Sequence, residues 1–120
     1  MVKFKIKSVP HKYRPNFMRE LDKRSSAYLR LAASYERLVN DLGGNYSALS
    51  HTTLSCVERF CWLEETIRTL ELRIQSHPEE AGELAGRLVQ AGNNLMGLAK
   101  VLGLKKLDAK VPSLKSYLAD

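Results

Sequence analysis

Eight basic side chains fall within the first 24 residues: Lys3, Lys5, Lys7, Lys12, Arg14, Arg19, Lys23 and Arg24. Only Glu20 and Asp22 oppose them, so this stretch holds an excess of six positive charges, equal to the formal net charge of +6 of the 120-residue chain. Cations crowded without carboxylates are suited to one chemistry above others, the displacement of counterions from phosphate groups. The expected partner is a polyanion, foremost DNA. Pro10 and Pro15 break the stretch, and no helical periodicity begins before Leu21. Phe4, Ile6, Val9, Tyr13 and Phe17 are interleaved with the cations. A segment alternating in this way forms a strand or an extended arm with one face on protein and the other on phosphate. The competing reading is a disordered terminus that only solubilises the chain.

Other chemistries find little support. His11, His51 and His77 are isolated from one another in sequence, and Cys56 and Cys61 do not have the spacing of a zinc site. Five residues apart on one helix, the cysteines are also out of disulfide reach, and they read as small buried hydrophobes in a reducing cytosol. Gly43-Gly44 lacks the Lys-Ser/Thr that completes a phosphate-binding loop. Glu58, Glu64, Glu65 and Glu71 read as a solvated face with pairs such as Glu64–Arg68, or as a contact surface for the basic arm or tail. Arg30, Arg37 and Arg59 would need a shared pocket to act as in a helical chorismate mutase, and their spacing does not match one. The chain is therefore read as not an enzyme, with no cofactor, no metal and no small-molecule substrate.

Three helices must carry these groups. The first is predicted from about Ser25 to Leu42, with Tyr28, Leu31, Tyr35, Leu38, Val39 and Leu42 as its apolar stripe and Gly43-Gly44 as its stop. Ser50 is a good N-cap for a second helix running to about Gln75. Its stripe contains Leu54, Val57, Phe60, Cys61, Leu63, Ile67, Leu70 and Ile74, with Trp62 beside it. Ser76-His77-Pro78-Glu79 reads as a stop and a start, with Ser76 and Glu79 as a capping box. A third helix follows from about Glu79 to Leu102, antiparallel to the second. Leu84, Leu88, Ala91, Leu95, Leu98 and Leu102 are spaced by alternating fours and threes, a coiled-coil seam. Gly82, Gly86, Gly92 and Gly97 are expected to permit close helix approach or to reflect support from a partner, and one of Asn93 and Asn94 to lie near the seam.

The fold class is thus all-α: a basic N-terminal arm (1–21), a three-helix domain (22–104) and a basic tail with a short C-terminal helix (105–120). A chain of this size buries a limited core. The seam residues Leu84, Leu88, Leu95, Leu98 and Leu102 are therefore expected to join copies into a homo-oligomer. Leu114, Tyr117 and Leu118 share one face of a turn after Pro112 and either dock a larger partner or pack back on the hairpin. No apolar run approaches the roughly 18 residues of a membrane span, and the basic start lacks the apolar core of a secretory signal.

Three pieces carry a family resemblance. The first helix ends in Tyr35-Glu36-Arg37-Leu38-Val39-Asn40-Asp41-Leu42-Gly43-Gly44. Leu49-Ser50 opens the long helix, which continues through Val57-Glu58-Arg59 and Leu63-Glu64. The last helix closes on Asn93-Asn94-Leu95-Met96-Gly97-Leu98-Ala99-Lys100-Val101-Leu102-Gly103-Leu104-Lys105-Lys106. Over about residues 22–110 this order resembles the compact small subunit of phage terminase. The resemblance implies a non-enzymatic, ring-forming DNA-packaging protein in the cytoplasm of a bacterial host cell. It also implies a large terminase subunit, carrying ATPase and nuclease, as partner. Many members carry a separate helix-turn-helix domain, which residues 1–48 do not contain, so the arm and first helix would contact DNA. A small DNA-binding regulator or nucleoid-type protein, and an interaction or inhibitor module whose arm contacts acidic protein, are the alternatives.

Overall fold

The computed structural model describes residues 5–44, 47 and 49–103. Three helices form: α1 (Ser26–Asp41), α2 (His51–Ser76) and α3 (Ala81–Leu102). The fold is all-α, with α2 and α3 packed as a hairpin, α1 preceding them, and no strand among the described residues. The tail, with Leu114, Tyr117 and Leu118, lies outside the described residues, as does Lys3.

The ends of the helices follow from local chemistry. Ser25 caps α1 by accepting the Tyr28 amide at 3.2 Å, and Ser50 caps α2 by accepting the Thr53 amide at 3.1 Å. Helix α1 stops where Gly43 and Gly44 take positive φ, and the Gly44 amide reaches back to the Val39 carbonyl. Gly103, at φ 70, ends α3 in the same left-handed region. The capping box expected at Ser76 and Glu79 does not form. Ser76 is the last residue of α2, and its hydroxyl donates back to the Leu72 carbonyl at 2.9 Å. A 3-10 turn, Pro78–Glu80, intervenes before α3, which starts without a side-chain cap.

Helix α2 is central because it has two apolar faces. Val57, Phe60, Cys61, Leu63, Ile67 and Leu70 are all buried, and α2 packs against both α1 and α3. Leu31, Leu38 and Val39 close one side, while Leu84, Leu88, Ala91 and Leu95 close the other. The seam on α3 is therefore occupied within the chain. Leu84, Leu88 and Leu95 are buried, and Leu98 and Leu102 pack against the same core. The leucines expected to join copies instead close the hairpin, because α2 is long and apolar enough to cover them.

Three of the four α3 glycines do not serve close helix approach, whereas Gly92 is buried. A Cβ at Gly82, Gly86 or Gly97 would meet nothing within 4 Å. Gly86→Ala should therefore raise stability by about 1 kcal/mol through helix propensity alone, shifting Tm upward by several degrees in a thermal melt. A fall in Tm would mean that another chain packs against this turn.

The basic arm is part of the fold. Ile6 forms a single parallel bridge with Leu21: its amide donates to the Glu20 carbonyl at 3.0 Å, and its carbonyl accepts the Asp22 amide at 2.7 Å. A 3-10 turn, Phe17–Glu20, then puts Phe17 and Leu21 into the core at 0% and 1% exposure. Ile6, Val9 and Tyr13 pack against that core from outside.

Candidate nucleic-acid interface

Two of the four glutamates read as a solvated face of α2 are anchors: Glu58 contacts the basic arm and Glu65 is buried. Glu58 Oε1 accepts the Tyr13 hydroxyl at 2.6 Å and the Asn16 amide at 3.0 Å. Asn16 is held at φ 63, the left-handed conformation that asparagine tolerates better than most residues. The Trp62 indole N–H donates to the Pro10 carbonyl at 3.0 Å, tying the first proline to the middle of α2. Tyr13 stands edge-on to both Phe17 and Trp62, and the Arg59 guanidinium lies 4.5 Å from the Tyr13 ring centre. Burial and its bond to the Glu58 carboxylate push the Tyr13 hydroxyl well above its ordinary value, so it remains a donor. Glu65 is buried against α1, where Arg30 binds it through two nitrogens.

With its apolar side chains turned inward, the arm turns its cations outward. Lys5, Lys7, Lys12, Arg14, Arg19, Lys23 and Arg24 are all exposed. The Ile6–Leu21 bridge gathers several of them. The Lys5 ammonium donates to the Arg19 carbonyl at 2.9 Å, and Asp22 lies beside both Arg24 and Lys7. The two carboxylates of the arm are engaged: Glu20 pairs with Arg14 at 3.2 Å and Asp22 with Arg24 at 3.6 Å. The Arg24 backbone amide and the nearby cations hold the Asp22 carboxyl below its ordinary value. Two acids cannot neutralise seven exposed bases, so this face keeps a positive field that a phosphate backbone would meet.

A groove borders that face. It runs between α2 and α3 beside the arm, with a volume of about 510 Å³, and its walls include Tyr13, Arg59, Trp62, Asn94, Gly97 and Val101. It continues past Trp62 and Asn94 into a smaller part of about 160 Å³ that reaches His11, Arg87 and Gln90. Asn93 and Asn94 are both exposed here, so neither amide sits in the seam, because Leu95 and Ala91 take the inward positions. Nothing in the linear pattern marked this groove, although Arg59, Trp62 and Thr66 on α2, and Gln90, Asn94 and Gly97 on α3, recur at helical spacings.

No family model, curated protein or solved structure matches the chain. Both cysteines are free thiols, and burial pushes the Cys61 thiol far above its ordinary value, which leaves it inert as a nucleophile. Arg30 and Arg37 line a groove between α1 and α2, while Arg59 lines the one between α2 and α3. Arg59 is thus in a different groove from Arg30 and Arg37. His77, Glu79 and Glu80 come within 4.8 Å of one another at the hairpin turn, but Glu80 is already paired with Arg73 at 2.8 Å. No helix among the described residues is long and apolar enough to cross a membrane.

Proposed function

We propose that this chain is a non-enzymatic DNA-binding protein that grips the phosphate backbone with the outward cations of its folded arm. The observation that carries the reading is the polarity of the arm. Ile6, Val9, Tyr13, Phe17 and Leu21 turn to the core, while the seven described cations of residues 5–24 are exposed. A purely solubilising terminus would not need those apolar anchors, and a fixed array of cations loses less entropy on meeting phosphate than a free one.

Within this reading, the packaging role of a phage terminase small subunit rests on the resemblance over residues 22–110. Assembly into a homo-oligomer and recruitment of a large subunit come with it. Because the α3 leucines are used inside the chain, copies would meet through other side chains, such as the exposed Leu72, Val89 and Val101. Light scattering tests this directly, since a ring would give a mass several times 13.6 kDa.

The DNA contact is best tested by charge removal rather than truncation, since deleting residues 1–14 would also strip Ile6, Val9 and Tyr13 from the core. Lys7, Lys12, Arg19 and Lys23 are exposed, and replacing all four with glutamine should leave the fold intact. Each phosphate contact contributes about 0.9 to the slope of log affinity against log salt, so the variant's slope should be shallower by about 3 to 4. Affinity should fall alike on all duplex sequences. An unchanged slope would remove the arm as the site and direct attention to Lys100 at the end of α3.

A further inference from the structure

The groove between α2 and α3 has a chemistry distinct from that of the cationic face. Trp62, the single tryptophan of the chain, lines both of its parts. The indole is fixed rather than mobile: its N–H is bound to the Pro10 carbonyl, and the Tyr13 ring stands edge-on at 6.0 Å. Across from it, Gln90, Asn93 and Asn94 present three primary amides from exposed positions of α3. Each amide offers a donor and an acceptor side by side, the pattern that complements the edge of a nucleobase. Two adjacent asparagines in mid-helix lower helix propensity, and here they neither cap the helix nor fix its register. Gly97 leaves the groove wall open where any side chain would narrow it. Arg59 and Arg87 supply positive charge in the two parts of the groove. The Thr66 hydroxyl oxygen is buried without a partner, and Thr66 lines the smaller part.

We infer that this groove binds single-stranded nucleic acid, holding an unstacked base beside Trp62 with its edge toward Asn93 and Asn94 and the flanking phosphates at Arg59 and Arg87. The inference rests on the nucleic-acid reading above but assigns a second surface. A duplex hides its base faces and meets the arm; a frayed or single strand can insert a base into the groove. The volume of about 510 Å³ is that of a small-molecule site, large enough for a base and too short for a duplex.

Trp62 fluorescence reports on the site without a label. A short oligothymidylate is expected to quench it in a saturable way, and quenching by the matching oligouridylate would extend the site to RNA. Gly97→Leu fills the groove at a point where the new side chain meets open space, so the variant should fold and melt no lower than the parent. It should weaken the single strand about tenfold or more, a loss in keeping with the stacking of one base. Its duplex affinity and salt slope should stay unchanged. Asn93→Ala combined with Asn94→Ala should weaken the single strand in the same direction with the fold kept. No quenching by either oligonucleotide, or equal single-strand affinity in Gly97→Leu, would overturn the inference and leave the arm's duplex binding standing. Unchanged duplex affinity and salt slope in the arm variant, with quenching retained, would do the reverse. Quenching by a hydrophobic peptide but by neither oligonucleotide would assign the groove to protein and overturn it as well.

Discussion

Phe17→Ala is expected to destabilise the protein by about 3–5 kcal/mol, the cost of removing a buried aromatic ring. Phe17 has no exposed surface although it lies within the most basic stretch of the chain, between Arg14 and Arg19. Its ring holds the arm to the core at the turn Phe17–Glu20, beside Tyr13 and beneath the Ile6–Leu21 bridge. For a chain of this size the loss corresponds to a fall in Tm of roughly 10 °C or more. The expectation separates a folded arm from a loose tether, in which the same change would be almost silent. A thermal or urea melt checks it. A change below about 1 kcal/mol would mean that the arm does not pack as described. DNA binding should weaken with the fold, because the cations at Lys5, Lys7, Arg19 and Lys23 are held together by what Phe17 anchors.

The contrast between what was legible and what was not has a physical pattern. The three helices, the cap at Ser50 and the stop at Gly43-Gly44 are readable because their causes lie within a few residues of their effects. The stripe on α1 and the heptad-like spacing on α3 also point to the residues that pack in the core. What the pattern does not say is where the partner face comes from. Leu84, Leu88 and Leu95 read equally well as a seam between copies or as one side of a hairpin, and the apolar breadth of α2 decides in favour of the hairpin. The arm was the larger gap. Its anchors act across the chain: Tyr13 to Glu58, Asn16 to Glu58 and Pro10 to Trp62, with sequence separations of 45, 42 and 52 residues. Pro10 and Pro15 suppress the helical period that would have flagged a packed segment. The interleaved aromatics were the available signal, and they pointed to a protein-facing side without naming its partner. The groove is not legible in the sequence because each of its walls is ordinary alone: two asparagines, a glycine and a tryptophan beside a stripe acquire meaning only when α2 and α3 are set side by side.

The second large effect concerns Arg30 and Glu65, which join α1 to α2. Glu65 is the one buried charged residue among those described, its side chain 7% exposed. Arg30 binds it with both prongs of the guanidinium, Nε to Oε2 at 3.2 Å and Nη2 to Oε1 at 2.5 Å. That bond to Glu65 raises the guanidinium's affinity for its proton, so the cation persists throughout the accessible pH range. Removing the arginine leaves a carboxylate with little water to solvate it. Breaking a buried pair from one side costs about 3–5 kcal/mol. The Arg30 side chain is 38% exposed, so water can partly reach the vacated space, and the expected loss for Arg30→Met is roughly 2–3 kcal/mol. Glu65→Leu should cost less, because it leaves an arginine that can turn to solvent. Combining Arg30→Met with Glu65→Leu should recover most of the loss, since an apolar pair of similar volume needs no desolvated charge. The double-mutant cycle, measured by urea unfolding, then gives a coupling energy on the order of 1–2 kcal/mol. Additive losses would show that the two side chains act independently and that α1 is held by Leu31, Leu38 and Val39 alone.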